Sequence, residues 1–231
     1  MLQAKGLVAG YRETPVLRGV DVEVQPGQAV AVLGPNGAGK STLFKAMIGL
    51  LDLDEGEILI DEKRVTHLAA HTRVRHGLAY LPQVERVFPS LNLTENLRMG
   101  AYTMTGDIRA RMEQVLSLFP DLAEDVKKRG GALSGGQQTM LGMARALMVD
   151  PKYLLLDEPT AGLSPLYMKR VWERIRAVRD TGIGVLVIEQ NVALALQHAD
   201  YAYVLVDGQN AAYDRADQLI NRSDIEGLFV G

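Results

Sequence analysis

The nine residues GPNGAGKST, at 34–42, limit what this 231-residue chain can fold into more than any other stretch. They follow the apolar run AVAVL (29–33) and lead into Leu43, Phe44, Met47, Ile48 and Leu51, spaced as one face of a helix. A strand before and a helix after are the context in which G-x-x-x-x-G-K-[ST] is a phosphate-binding loop. Gly34, Gly37 and Gly39 let backbone N–H groups converge on phosphate oxygens at a helix N-terminus, where the helix dipole favours negative charge. Pro35, Asn36, Ala38 and Thr42 complete the expected nucleotide-binding loop, with Lys40 reaching the β- and γ-phosphates and Ser41 ligating Mg²⁺. The competing reading is a flexible turn between strand and helix, which does not call for the lysine or the hydroxyl.

The remainder of the chain keeps the same strand–loop–helix rhythm. YLLL (153–156) and GVLVI (184–188) are apolar on both faces, as in central strands of a parallel sheet covered by helices. Val20, Val22 and Val24 alternate with Asp21, Glu23 and Gln25, the pattern of a strand with one wet face. Met168, Val171, Trp172, Ile175 and Val178 form a helical stripe after Ser164-Pro165, read as an N-cap followed by proline at the first helical position. YVLVDGQNAAY carries the Asp-Gly turn of a hairpin. Between about 85 and 148 the strand signals vanish. There LTENLRMGAY and DIRARMEQVLSLF read as helices, the second with Ile108, Met112, Val115, Leu116 and Phe119 on one face and ending at Pro120. An all-helical lobe inserted into an α/β core is expected.

YLLLDEP (153–159) supplies two carboxylates. Asp157, ending a strand, stands where the second metal contact of such a fold belongs. Glu158 is placed to orient or deprotonate a water in line with the γ-phosphate. ALSGGQQTMLGMARALM (132–148) is the discriminating segment. Ser134 and Gln137 fit a capping box, and Met140, Leu141, Ala144, Leu147 and Met148 fit a core stripe. A capping box does not require Gly135 and Gly136, each costing about 1 kcal/mol against alanine in a helix. Bare backbone at that helix start points to an approaching anion, and one loop already serves the chain's own nucleotide. The second site is therefore expected to serve another molecule's nucleotide.

GPNGAGKST, LSGGQ, LLLDEP, the glutamine of YLPQ (Gln83) and Tyr11 ahead of the first buried strand together resemble the nucleotide-binding subunit of ATP-binding cassette transporters. The resemblance covers nearly the whole chain in the right order. It implies an α/β fold: a P-loop NTPase core with a central, mainly parallel sheet, an N-terminal antiparallel β portion and an inserted all-helical subdomain. The chain would be one nucleotide-binding domain, with a core lobe of 1–84 and 149–231 and a helical subdomain of 85–148. It further implies that two cassettes pack head to tail around ATP and Mg²⁺. Ser134, Gly135, Gly136 and Gln137 would then act in trans, Tyr11 would stack on adenine, and Gln83 would contact Mg²⁺ or the attacking water. The implied catalytic set is Glu158, Lys40, Gln83 and Gln190, and the implied metal set is Ser41, Gln83 and Asp157.

Two positions depart from that family's pattern. Gln190 stands where most members have a histidine at the γ-phosphate, and its amide can donate a hydrogen bond but not shuttle a proton. Ser164 stands where an aspartate is usual, and its role as a helix cap suffices. Asn191 is read as the N-cap of the next helix, and Glu189 receives no role. Both departures, with PQVERVFPSLNLTENLRMGAY and the terminal GLFVG, are similar to a cassette subunit of high-affinity branched-chain amino acid importers. That subgroup pairs two different cassettes with two permease subunits and an extracytoplasmic solute-binding protein, and it extends to urea, amide and other amino acid importers. The chain would sit peripherally on the cytoplasmic face of the inner membrane, with a permease contact around Arg86, Phe88 and the helical lobe. A homodimer is possible in isolation.

Composition narrows the classes. Twenty-five basic against 28 acidic residues give a net charge of −3, which argues against a nucleic-acid partner. No cysteine is present, so disulfides and thiolate metal sites are excluded. No apolar run reaches the roughly 18 residues that span a bilayer. A soluble cassette ATPase acting on DNA or ribosomes is the alternative from another class, but such proteins carry coiled-coil insertions or basic extensions, and Lys127-Lys128-Arg129 is the only compact basic run. A kinase or GTPase reading leaves LSGGQ unexplained.

Overall fold

The computed structural model describes residues 1–11 and 14–222. The terminal GLFVG lies outside the described residues. In chain order the elements are β1 (Leu2–Tyr11), β2 (Thr14–Val24), β3 (Ala29–Leu33), α1 (Lys40–Ile48), β4 (Glu55–Ile60), β5 (Lys63–Arg64), α2 (Ala70–Arg75) and β6 (Leu78–Leu81). Three helices follow, α3 (Leu93–Gly100), α4 (Ile108–Ser117) and α5 (Gly135–Leu147). The chain then alternates through β7 (Tyr153–Asp157), α6 (Pro165–Asp180), β8 (Gly184–Ile188), α7 (Val192–His198), β9 (Tyr201–Val206), β10 (Gln209–Arg215) and α8 (Ala216–Leu219).

The strands make two sheets. The first, in the order β2-β1-β4-β5, is antiparallel. The second, β10-β9-β3-β8-β7-β6, is parallel except for β10, which returns from β9 through a turn at Asp207 and Gly208. Both turn residues have positive φ, 49° and 76°, the requirement of the tightest hairpins. β3, β7 and β8 are buried along their whole length, because a parallel sheet with both faces covered has no wet side. In β2, Val20, Val22 and Val24 point into the core while Asp21 is exposed.

Two apolar clusters lie on opposite faces of the larger sheet. One joins Val30, Val32, Leu155, Leu186 and Ile188 to α1 and the antiparallel sheet. The other joins Ala31, Leu156, Val187 and Trp172 to Leu97, Leu133 and Met140 of the segment between β6 and β7. That segment is helical, with one isolated bridge between Asn92 and Arg129. α3 opens on a capping box, Asn92 and Glu95, and α5 on another, Ser134 and Gln137. α4 is shorter than its stripe predicts: it stops at Ser117, Ile108 is 37% exposed, and Pro120 opens a separate 3₁₀ turn to Asp125. The cause is proline, whose ring cannot continue the helix.

Two caps separate differently. Asn191 accepts from the Leu194 N–H at 3.0 Å, as a capping side chain should. Ser164 occupies the N-cap position of α6, but its side chain makes no capping hydrogen bond. The proposed sufficiency of that cap is therefore corrected, and the pre-set φ of Pro165 is what starts the helix.

Candidate active site

The carboxyl ends of β3, β8, β7 and β6 lie side by side, and the expected site residues follow them directly. At the end of β3 the chain turns through Gly34, where φ is 150° and an added Cβ would lie 2.2 Å from the Leu205 carbonyl oxygen. Only glycine fits there. Lys40, the first residue of α1, is 5% exposed, and its Nζ donates to the carbonyls of Gly34 at 2.7 Å and Pro35 at 2.9 Å. Burial lowers its pKa, while Glu158 and Asp157 pull the other way. The ammonium is thus held across the mouth of the loop.

Asp157 ends β7. Its Oδ1 accepts from Ser41 Oγ at 3.5 Å and its Oδ2 from the Tyr80 hydroxyl at 3.2 Å. Burial raises the Asp157 pKa; the Tyr80 hydrogen bond works against that rise, and the neighbouring Glu158 adds to it. The Tyr80 phenol is pushed well up by burial and then by Asp157. A hydroxyl and a carboxylate converging beside a phosphate loop are a donor set that suits Mg²⁺. Tyr80 was not singled out in the sequence, although a tyrosine in the apolar run LAYL signals a buried hydroxyl in need of a partner.

Glu158 follows at once and is 6% exposed. Its φ is 46°, a left-handed conformation that costs a non-glycine residue roughly 1 kcal/mol. Its N–H donates to the Ile188 carbonyl at 3.0 Å, tying it to the end of β8. Both carboxylate oxygens are engaged: Gln83 Nε2 donates to Oε2, and Gln190 Nε2 donates to Oε1 at 2.8 Å. The fold therefore gathers three expected catalytic residues from the ends of three neighbouring strands, β6, β7 and β8. Gln190 takes up Glu158 itself in this arrangement.

Two further charged groups surround this centre. Arg86 Nη2 donates to the Glu158 carbonyl at 2.8 Å, and Nη1 donates to Thr139 Oγ1 of α5 at 2.7 Å. Its guanidinium is directed inward, although the residue itself stays half-buried. Phe88 is 41% exposed, under the Arg145 guanidinium. Glu189 is 2% exposed and accepts from Thr160 N at 3.2 Å, with Thr160 Oγ1 2.9 Å away. Burial pushes the Glu189 carboxyl up to about 7, against the hydrogen bonds from Thr160. A carboxylate closing a wholly apolar strand was the available signal.

Tyr11 is 49% exposed at the end of β1, and its hydroxyl accepts from Lys45 of α1 at 3.2 Å. Its ring stands beside the helix that the phosphate loop starts, with the Lys45 ammonium 5.6 Å from its centroid. Ser134 and Gln137 form their capping box, and Gln137 Nε2 also donates to Asp125 at 2.6 Å. Gly135 is exposed. Gly136 is buried, and an added Cβ would meet the Tyr167 ring at 2.3 Å. Approach of an anion is thus not the sole reason for the glycine pair: Gly136 has a packing partner within the chain.

A mainly parallel sheet with a phosphate loop at its carboxyl edge and two consecutive acids at the end of β7, one strand removed from the loop's own strand, defines a P-loop nucleoside triphosphatase. The sequence profile described as "ABC transporter" matches residues 17–161, and the chain belongs to that family. It is 41% identical, over 100% of its length and 99% of the relative's, to a probable branched-chain amino acid transport ATP-binding protein, LivF, of Archaeoglobus fulgidus. It is 39% identical over 96% of its length, and 95% of the relative's, to the high-affinity branched-chain amino acid transport ATP-binding protein BraG of Pseudomonas aeruginosa. Identity is 34%, over 100% and 97%, to the lipopolysaccharide export system ATP-binding protein LptB of Escherichia coli K12. Among solved structures, the ADP conformation of an ATP-binding cassette of an ABC transporter superposes with a TM-score of 0.92 at 25% identity, covering 100% of this chain and 98% of that one. The chain is the ATPase of a transporter, and it binds ATP.

Proposed function

We propose that this ATPase powers the import of branched-chain or similarly hydrophobic amino acids through a membrane permease. The observation that carries the solute class is the full-length identity of 41% and 39% to two branched-chain amino acid transport ATP-binding proteins. Urea, amides or other amino acids are the neighbouring solutes. Lipopolysaccharide export is the second reading, supported by the 34% relative.

In this reading the backbone amides of 34–42 and Lys40 hold the phosphates of ATP, and Tyr11 stacks on adenine. Ser41 and Asp157, with Gln83 at the rim, would hold Mg²⁺, which would neutralise phosphate charge when bound. Glu158 accepts a proton from the water that attacks the γ-phosphorus as the bond to the β-phosphate oxygen breaks. Gln83 and Gln190 hold its two oxygens meanwhile. Ser134, Gly135, Gly136 and Gln137 complete the site of a second, different cassette, and two permease subunits receive the motion. Among the described residues no helix is long and apolar enough to cross a membrane. An extracytoplasmic binding protein selects the solute, and no nucleic acid takes part.

The test is to tag the chain in its native host, solubilise membranes gently with Mg-free ATP, and identify the co-purifying proteins by mass spectrometry. Two permeases, a second cassette and a solute-binding protein that binds leucine, isoleucine or valine are expected. Recovery of lipopolysaccharide-export membrane subunits instead would replace the importer reading.

A further inference from the structure

The turn Glu158-Pro159-Thr160 is held from two sides by the half-buried Arg86 and the buried Glu189, whose side-chain hydrogen bonds go to this turn and to α5 and not to the phosphate loop. From one side, Arg86 donates to the Glu158 carbonyl, an oxygen that also accepts from the Ala161 N–H at 3.2 Å. From the other, Glu189 receives the Thr160 N–H and lies against its hydroxyl, while its own N–H donates to the Val32 carbonyl at 3.3 Å. Between them sits a non-glycine residue in the left-handed region, a conformation that persists only where its surroundings over-determine it. Without such restraint the turn would relax, and the carboxylate would leave the direction that Gln83 and Gln190 share. Arg86 is also fastened to Thr139, so the same guanidinium joins α5 to the backbone of the turn that carries Glu158.

We propose that Arg86 and Glu189 are positioning residues for ATP hydrolysis, bracketing the Glu158–Thr160 turn so that the Glu158 carboxylate faces the reacting water. The proposal rests on the reading of Glu158 as the proton acceptor. Neither residue contacts the loop that holds the phosphates, so loss of the bracket lowers kcat and leaves nucleotide affinity intact. Arg86 supplies a planar fork with two acceptors at different angles, which a lysine ammonium cannot match. A glutamine at 189, by contrast, keeps one acceptor for the Thr160 N–H and offers its amide to the hydroxyl.

The experiment uses the full-length chain with Mg-ATP, measuring kcat and KM for hydrolysis and the Kd of a fluorescent ATP analogue. Arg86→Met and Glu189→Met are expected to lose kcat by about tenfold or more with Kd within about twofold, in line with the cost of a misplaced catalytic group. Glu189→Gln is expected to recover most of the loss. The Arg86→Met/Glu189→Met double variant is expected to lose less than the product of the single losses, since both act on one turn. Should a methionine variant fail to fold, Arg86→Lys and Thr139→Val carry the same test, with about threefold losses in kcat at unchanged Kd. Wild-type kcat in these variants, or kcat and Kd worsening together, overturns the bracket. Glu158→Gln is the control: if it hydrolyses ATP normally, the proton-acceptor reading fails, whereas its inactivity beside fully active Arg86 and Glu189 variants removes the bracket alone.

Discussion

Glu189 shows how much one residue's surroundings decide. Its neighbours in sequence give no reason for an acid, yet burial raises its carboxyl to about 7 from an ordinary value of 4.5. Between those two pH values the folded chain keeps a proton that the unfolded chain has released. Stability from this group is therefore full below about pH 4.5 and is lost as pH rises through about 7, by on the order of 3 kcal/mol in total. Urea midpoints measured from pH 5 to 8 should fall more steeply for the wild type than for Glu189→Gln, which cannot titrate; parallel curves would remove the effect. Gln190 belongs to the same scale. Gln190→His places a titratable donor beside Glu158, and turnover at saturating ATP should rise several-fold with a limb near pH 6–7. An unchanged rate and pH profile would show that this position does not limit the isolated chain.

At the scale of elements, α5 is the informative case. Its capping box and core stripe were legible, because Ser134, Gln137 and the apolar spacing of Met140, Leu141, Ala144 and Leu147 are local patterns. What the spacing could not show is that α6 lays Tyr167 against Gly136. Gly136→Ala should lower stability by about 1–2 kcal/mol, overpacking outweighing the better helix propensity of alanine. With Tyr167 cut back to alanine, the same Gly136→Ala change should stabilise by about 1 kcal/mol. A destabilising effect of equal size in both backgrounds, read from chemical denaturation, would assign Gly136 to something other than this contact. The loop between β6 and α3 makes the same point. Asn96, fully buried, donates to the carbonyls of Phe88, Leu91 and Asn92 and so fixes the segment that carries Arg86 inward.

At the scale of the molecule, the helical segment and the sheet share a continuous apolar cluster, so the lobe is seated by packing on β7 and β8 and not by its own core alone. Ligand binding should be felt across that whole unit. Mg-ATP at about 100 times its Kd should add roughly 2.7 kcal/mol of stability, a rise in Tm of about 5–10 °C for a domain this size. Lys40→Ala should erase most of that rise, because in the proposed reading the loop loses its buried ammonium. A Tm response to Mg-ATP equal to the wild type's in that variant would contradict the phosphate-loop assignment.

The local grammar of the chain was enough to set β2, β3, β7, β8 and the β9–β10 hairpin, most helices, the phosphate loop and the two acids after β7, since each depends on residues within a few positions of one another. The single reversed strand, β10, follows from its Asp-Gly hairpin, whereas the antiparallel sheet was expected from the family resemblance alone, and its β1–β4 pairing joins distant segments. The arrangement around Glu158 does not. Gln83, Arg86 and Gln190 lie 75, 72 and 32 residues from it in sequence. They meet because β8 inserts between β3 and β7, an order settled by burying both faces of the sheet. Only that long-range packing could turn Arg86 inward, give Glu189 a partner in Thr160, and set Tyr80 on Asp157, because hydrogen-bond demand in a dry interior is met by whatever the fold brings within reach.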